Sequence, residues 1–336
     1  MQVLVTKAES KKVKTVDMKI NNSDAISGEF IDIQGERFYL IRNVDKMAPF
    51  FISLVSASDH WLYISSNGGL TAGRVSPETA LFPYVTVDKI HESSAHTGSK
   101  TLVRASIDDI EHEWEPFNME HDGRYHINRH LYKNELGNKL YFEEINHDLR
   151  LVFRYNWMTS DQYGFVRKCE LENFSEKPVK IDMVDGLQNI LAAGTPRFIQ
   201  TNSSNLIDAY KWTELDEQTG IAYFTLYSGI TDRPEPHESL KANTVFCLGL
   251  AGHKVLICSE QLDHFRLGEP LQQEVNKRGI RGAYLIHHGF ELEPKALQSW
   301  QFVANIEQTQ AKVVKLRRSL SDPEEVSRNL AISIEQ

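Results

Sequence analysis

The chain has 336 residues, 41% of them hydrophobic and 25% charged, which is material for a sizeable core and excludes a disordered or fibrous protein. Its 46 acidic and 37 basic residues leave a formal charge of -9, which argues against a nucleic-acid partner, because such binding rests on clustered Lys and Arg. No run of about 18 apolar residues occurs, and the start MQVLVTKAESKKVKTVDMK has no apolar stretch of signal-peptide length, so no membrane partner is expected and the expected location is cytoplasmic.

Along the chain the recurrent spacing of apolar residues is two, beginning with FYLIRNV and FFISLVS. Residues 65–84, SSNGGLTAGRVSPETALFPY, then form a glycine-rich bend. Gly68, Gly73, Arg74 and Val75 nearly reproduce a phosphate-loop spacing, but that loop needs Lys followed by Ser or Thr and a helix directly behind it. Pro83 and the strand-like YVTV follow instead. The bend is expected to bring Asn67, Arg74 and Glu78 to one region, with Ser76 and Pro77 starting a helical turn. Beside Trp61, Tyr63, Phe82 and Tyr84, these charges suit a polyhydroxylated ring, which offers hydroxyls to polar groups and C–H faces to aromatics. The alternative is a structural loop in which Arg74 and Glu78 pair with each other or with backbone. Trp114 and Trp212 are the tryptophans least obviously buried, and the candidate substrate-binding set is Asn67, Arg74, Glu78, Tyr84 and Trp114.

Further on, NELGN (134–138) between HLYK and KLYFEE reads as a hairpin loop, and so does NFSEKP (173–178) between CELE and VKIDMV. In HDLRLVFRYNW, Leu149, Leu151, Phe153, Tyr155 and Trp157 share one face. IAYFTLY, TVFCLGL, KVLICSE and GAYLIHH follow, and SWQFVANI alternates again through Trp300, Phe302, Ala304 and Ile306. So many strands with almost no helical intervals predict an all-β, large antiparallel sandwich.

The remaining chemistry-bearing residues predict no catalytic or metal centre. His126 and His130 would share a strand face, but adjacent His287 and His288 point to opposite sides, and a metal needs three or four converging ligands. Cys169, Cys247 and Cys258 have no zinc spacing and read as buried thiols. The acidic pairs Asp108–Asp109, Glu143–Glu144 and Glu291–Glu293 read as solvated faces, and no nucleophile-elbow motif occurs. No cofactor is expected.

From Glu307 the alternation is lost and the sequence becomes helix-compatible. Asp322 is the expected N-cap of a last helix, with Pro323 at its first position and Glu325 three residues after the cap. Val326, Leu330 and Ile334 then make an apolar stripe that needs cover, so the natural chain is expected to continue past Gln336.

Val166, Arg167, Leu171, Asn173 and Pro178, within residues 153–194, form the pattern V-R-x-x-x-L-x-N followed by a loop with proline. This is similar to a run in the N-terminal β-supersandwich (galactose mutarotase-like) domain of cellobiose phosphorylase and related glycoside phosphorylases and hydrolases. FELEPKALQSWQFVANI resembles the last strands of that domain. The resemblance implies a supersandwich over 1–306 and a helical linker over 307–336 leading to an (α/α) barrel absent from this chain. The general acid of that family belongs to the barrel. The resemblance therefore implies a carbohydrate-associated domain with no catalytic residue of its own, whose partners are a saccharide, a C-terminal catalytic domain of the same polypeptide and a possible second copy. Aldose 1-epimerases share the fold and use a histidine and a glutamate, but the matching position here is Gly186, after Asp185, with Glu291 or Glu293 as remnants of the other partner. A stand-alone epimerase and a structural or dimerisation module are the competing readings.

Overall fold

The computed structural model describes residues 25–202, 204–228 and 240–335. Every neighbouring strand pair in it is antiparallel, so the expected class holds. The described residues form three sheets, of eleven, five and four strands. The large sheet runs through Ser27–Ile33, Glu36–Arg42, Ile127–Asn134, Leu140–Asn146, Leu151–Ser160, Gly164–Asn173, Leu297–Thr309, Lys241–Leu248, Ile221–Leu226, Lys211–Asp216 and Asn276–Arg278. The five-stranded sheet runs through Lys254–Leu256, Gly282–Leu292, Val179–Ile190, Gly98–Ile107 and Ile110–Trp114. The small sheet orders Phe51–Leu54, His60–Ser65, Leu70–Arg74 and Ala80–Phe82.

The period of two explains where the core sits. Phe153, Tyr155, Trp157, Trp300, Phe302 and Ala304 all point from the large sheet into one apolar cluster. Ala105, Met183 and Ile286 enter it from the five-stranded sheet, and Leu62, Ile64 and Phe82 from the small one. Burial of such faces is the main driving force for closing the sheets on each other.

The loops separate two kinds of connection. NELGN does close a hairpin, and the Asn134 side chain accepts the Lys139 N–H at 2.9 Å. NFSEKP does not: Gly164–Asn173 belongs to the large sheet and Val179–Ile190 to the five-stranded one, so this loop turns a corner between sheets. The physical reason is Asn173, fully buried, whose amide donates to the carbonyls of Lys177 at 2.7 Å and Leu292 at 3.0 Å.

At the C-terminus the last strand extends to Thr309, past the expected boundary at 307, and helices Gln310–Ser319 and Pro323–Glu335 follow. Asp322 caps the second, accepting the Glu325 N–H at 3.0 Å. Its apolar stripe does not lack cover, contrary to expectation. Val326 and Leu330 are buried against Met158, Val166, Phe246 and Val303 on the outer face of the large sheet, where strand residues facing away from the core are themselves apolar. Among the described residues no helix is long and apolar enough to cross a membrane.

One polar group sits at the centre of the layers. Arg167 of the large sheet and Asp185 of the five-stranded sheet are both wholly buried, with Nη1 at 2.9 and 3.0 Å from the two carboxylate oxygens. Thr101 donates to the same carboxylate at 2.6 Å and the Trp300 indole at 2.7 Å. A buried pair of this kind is not by itself a source of stability, but removing one partner strands the other charge. Asp185→Ala is therefore expected to lower unfolding stability by about 3–5 kcal/mol, read as an earlier urea midpoint. An unshifted midpoint would contradict the role given to the pair.

Candidate functional site

A cleft of about 450 Å³ opens where the five-stranded sheet, the loop after it and the tip of the small sheet meet. Its walls include Asn67, Lys100, Thr101, Glu115, Phe117 and Tyr155, with Arg266 from the short helix Leu262–Arg266.

Glu144 organises one wall. Its carboxylate accepts the Trp114 indole N–H, the Phe117 N–H and the Arg129 Nε–H, each at 2.7 Å. These contacts hold Phe117 at φ 63°, a left-handed conformation that an aromatic residue adopts only when its surroundings enforce it. The Phe117 ring meets Tyr155 edge-on at 5.2 Å. Next to it, Glu115 is nine-tenths buried and ion-paired with Lys100 and, at 3.4 Å, with Arg266. Burial alone would raise its carboxyl, but the two cations outweigh this and hold it below the usual range. Glu115 thus stays ionised, an acceptor for hydroxyls. Burial pushes the Tyr155 phenol up, so it stays a hydroxyl.

The glycine-rich bend forms the opposite rim. Gly68 has φ 92°, and a side chain on Gly69 would place its Cβ 2.0 Å from the Ile90 carbonyl oxygen. Only glycines allow this turn. It sets Asn67 at the rim, with its amide donating to the His91 carbonyl at 2.7 Å.

Asn67 is thereby parted from Arg74, Glu78 and Tyr84 by the strand Leu70–Arg74, and these three do not line the cleft. Arg74 pairs with Asp59 at 2.5 Å, not with Glu78. Glu78 accepts the Arg197 N–H at 2.9 Å, and the Arg197 guanidinium lies 4.9 Å from the Tyr84 ring centre. Ser76 and Pro77 form a hydrogen-bonded turn closed by Thr79 rather than a helical one. The segment after Pro83 is no strand; the short helix Val87–Ile90 begins there. Trp114 is 3% exposed, a core residue, because its indole N–H is spent on Glu144. Phe82 is likewise fully buried, whereas Trp212 is half-buried under Arg278.

Other candidate groups lie elsewhere. His126 precedes its strand and stacks on His147, while His130 is buried and accepts the Asn43 N–H at 3.2 Å. His287 meets Asp182 at 2.7 Å and His288 stacks on Phe290. Glu291 and Glu293 are exposed. Gly186 has no room for a histidine, since a Cβ would fall 2.0 Å from the Tyr284 carbonyl oxygen. The liganding atoms of Cys258, Glu260 and Glu274 lie within 4.8 Å of one another, a grouping the sequence spacing does not reveal. The Lys277 ammonium pairs with both carboxylates there, and Glu274 accepts the Ile257 and Cys258 N–H groups. Burial pushes the Cys258 thiol up to about 12, so it remains protonated.

No family model matches the sequence, and no curated protein matches it. Among solved structures, a bacterial glucoamylase complexed with acarbose is similar at 10% identity and TM-score 0.39, over 86% of this chain and 38% of its own. A Klebsiella pneumoniae protein assigned as an aldose 1-epimerase has 8% identity and TM-score 0.37, over 88% and 91%. A protein from the human microbiome assigned as a kojibiose phosphorylase has 10% identity and TM-score 0.34, over 86% and 30%. The chain thus spans little more than a third of the glucoamylase. Likenesses this distant assign no activity.

His60, beside Arg74, offers a pH readout. Burial, then the Arg74 charge, lowers its pKa to about 4. The unfolded chain, at about 6.5, binds the proton first, so this group removes stability as pH falls from about 6.5 to about 4. His60→Gln is expected to flatten that limb of the thermal-stability profile; an unaltered slope would show that His60 does not stay neutral in the fold.

Proposed function

We propose that the cleft holds a saccharide and that this chain is a carbohydrate-associated domain without catalytic residues of its own, working beside a catalytic domain of glycoside phosphorylase or hydrolase type. One observation carries the reading: an ionised carboxylate, Glu115, held between Lys100 and Arg266 beside the Phe117 and Tyr155 rings. A sugar presents hydroxyls that such a carboxylate, ammonium and phenol can bond, and C–H faces that aromatic rings can cover. Hydrogen bonds to charged groups carry more free energy than neutral ones, so a clamped carboxylate is an effective anchor.

Calorimetry with glucose, galactose and cellobiose tests this. At least one should give heat, and Glu115→Gln, with unchanged circular dichroism, should weaken it about tenfold. Silence across the panel would remove the saccharide from the account.

A second reading, contact with another copy of the chain, is favoured by the strand Ser27–Ile33, which is at the edge of the large sheet among the described residues. Phe30 there is 56% exposed and packs edge-on against the half-exposed Tyr39 ring at 5.1 Å. Edge strands with exposed apolar residues are templates for pairing. Sedimentation should then show a dimer that Phe30→Lys converts to monomer; a monomer at all concentrations contradicts it.

A further inference from the structure

The residue after Tyr155 faces a different space. Side chains alternate along a strand, so Tyr155 lines the cleft between the sheets while Asn156 points out from the large sheet. There a separate cleft of about 380 Å³ runs beside the helix Pro323–Glu335, a size in the range of small-molecule sites. Its floor is one cross-strand row. Tyr141 pairs with Asn156, Asn156 with Lys168, Lys168 with Gln301 and Gln301 with Leu248, all in register. The helix supplies a wall through Ser327, Ala331 and Ile334, which share one of its faces.

Two features of this floor fit a ligand with both a hydrogen-bond acceptor and a donor. First, donors converge on it. The Lys139 and Lys168 ammoniums line the cleft, whereas their carboxylate partners, Glu36 at 2.6 Å and Glu170 at 2.9 Å, do not. Burial raises the Tyr141 phenol, which stays a hydroxyl, and the Asn156 amide and both ammoniums act on it, so these groups lie together. Second, an acceptor is unmet. Asn156 is 1% exposed, and its Oδ1 has no partner among the described residues, a costly state for a buried polar atom.

We infer that this outer cleft is a site for a free aliphatic amino acid, independent of what fills the cleft between the sheets. The ligand carboxylate accepts from Lys168 and the Tyr141 hydroxyl, and its ammonium donates to Asn156 Oδ1. Its side chain covers the apolar part of the lining, Met158, Leu248 and Ile334. The choice of a zwitterion follows from charge. The two ion pairs sum to zero, so a ligand of either net sign leaves an excess, and a molecule carrying both signs leaves none. Lys168 and Glu170 are 42% and 23% exposed, and exposed pairs of this kind contribute little. Lys168 can therefore turn to the ligand carboxylate and release Glu170 to the ligand ammonium.

Calorimetry of the full chain with leucine, isocaproate and leucinamide tests the inference, because isocaproate lacks the ammonium and leucinamide the carboxylate. Leucine should bind about tenfold or more tightly than either. Lys168→Met should bring leucine down to the level of leucinamide with an unchanged thermal midpoint, and Asn156→Ala should bring it down to the level of isocaproate. Should Asn156→Ala fail to fold, the contrast between leucine and isocaproate on the parent chain decides the same point. No heat from leucine, equal binding of all three, or a Lys168→Met variant that binds leucine as the parent does would each overturn the inference.

Discussion

The structure turns on a carboxylate and a guanidinium that have no access to water. Asp185 and Arg167 are each wholly buried, and they belong to different sheets. A charge in that position is costly wherever a partner is missing. Thr101 and Trp300 complete Asp185, one from each sheet, and the Tyr155 ring lies 4.7 Å from the guanidinium. The Nε–H of Arg167 is left without a partner, so the pair fixes the spacing of the layers more than it adds stability. A slip of either strand by one residue would move a charge to the opposite face of its sheet.

The cleft inherits its floor from this pair. Thr101 and Tyr155 both contact the buried pair and both line the cleft. Glu144 plays the corresponding part for the wall, binding Trp114, Phe117 and Arg129 at once. Two buried carboxylates thus hold the scaffold, while a third, Glu115, faces the cleft with its charge maintained by Lys100 and Arg266. The strain at Phe117 lies at this wall, where a fold can store it because the surrounding contacts over-determine the backbone.

Much of the β architecture was readable because alternation is a local property. Trp300, Phe302, Ala304 and Ile306 announce their face, and Asp322 announces its cap. Asn173 shows the limit: a polar loop between two strands signals a turn, but whether the chain stays in one sheet depends on bonds to Leu292, 119 residues away. The stripe of Val326 and Leu330 was legible as apolar, yet its cover comes from outward residues such as Val166 and Phe246, which no local pattern connects to it. Of the expected binding residues only Asn67 reaches the cleft. Arg74, Glu78 and Tyr84 are close to it in sequence, but the strand between carries them to the other end of the small sheet. Lys100 and Glu115 were missed although a signal existed. Asp108 and Asp109, both at positive φ, form a two-residue turn that pairs Val103 with Trp114, and that register sets Lys100 and Glu115 close together.

The most direct test of the account is hydrogen–deuterium exchange of the full chain with and without cellobiose. The loops carrying Asn67 and Gly68, Ser94 to Thr101, and Glu115 to Glu120 should exchange more slowly with the glycan present, while the segment from Arg74 to Tyr84 should be unchanged. Protection confined to that second segment, or none anywhere at saturating glycan, would contradict the assignment of the cleft.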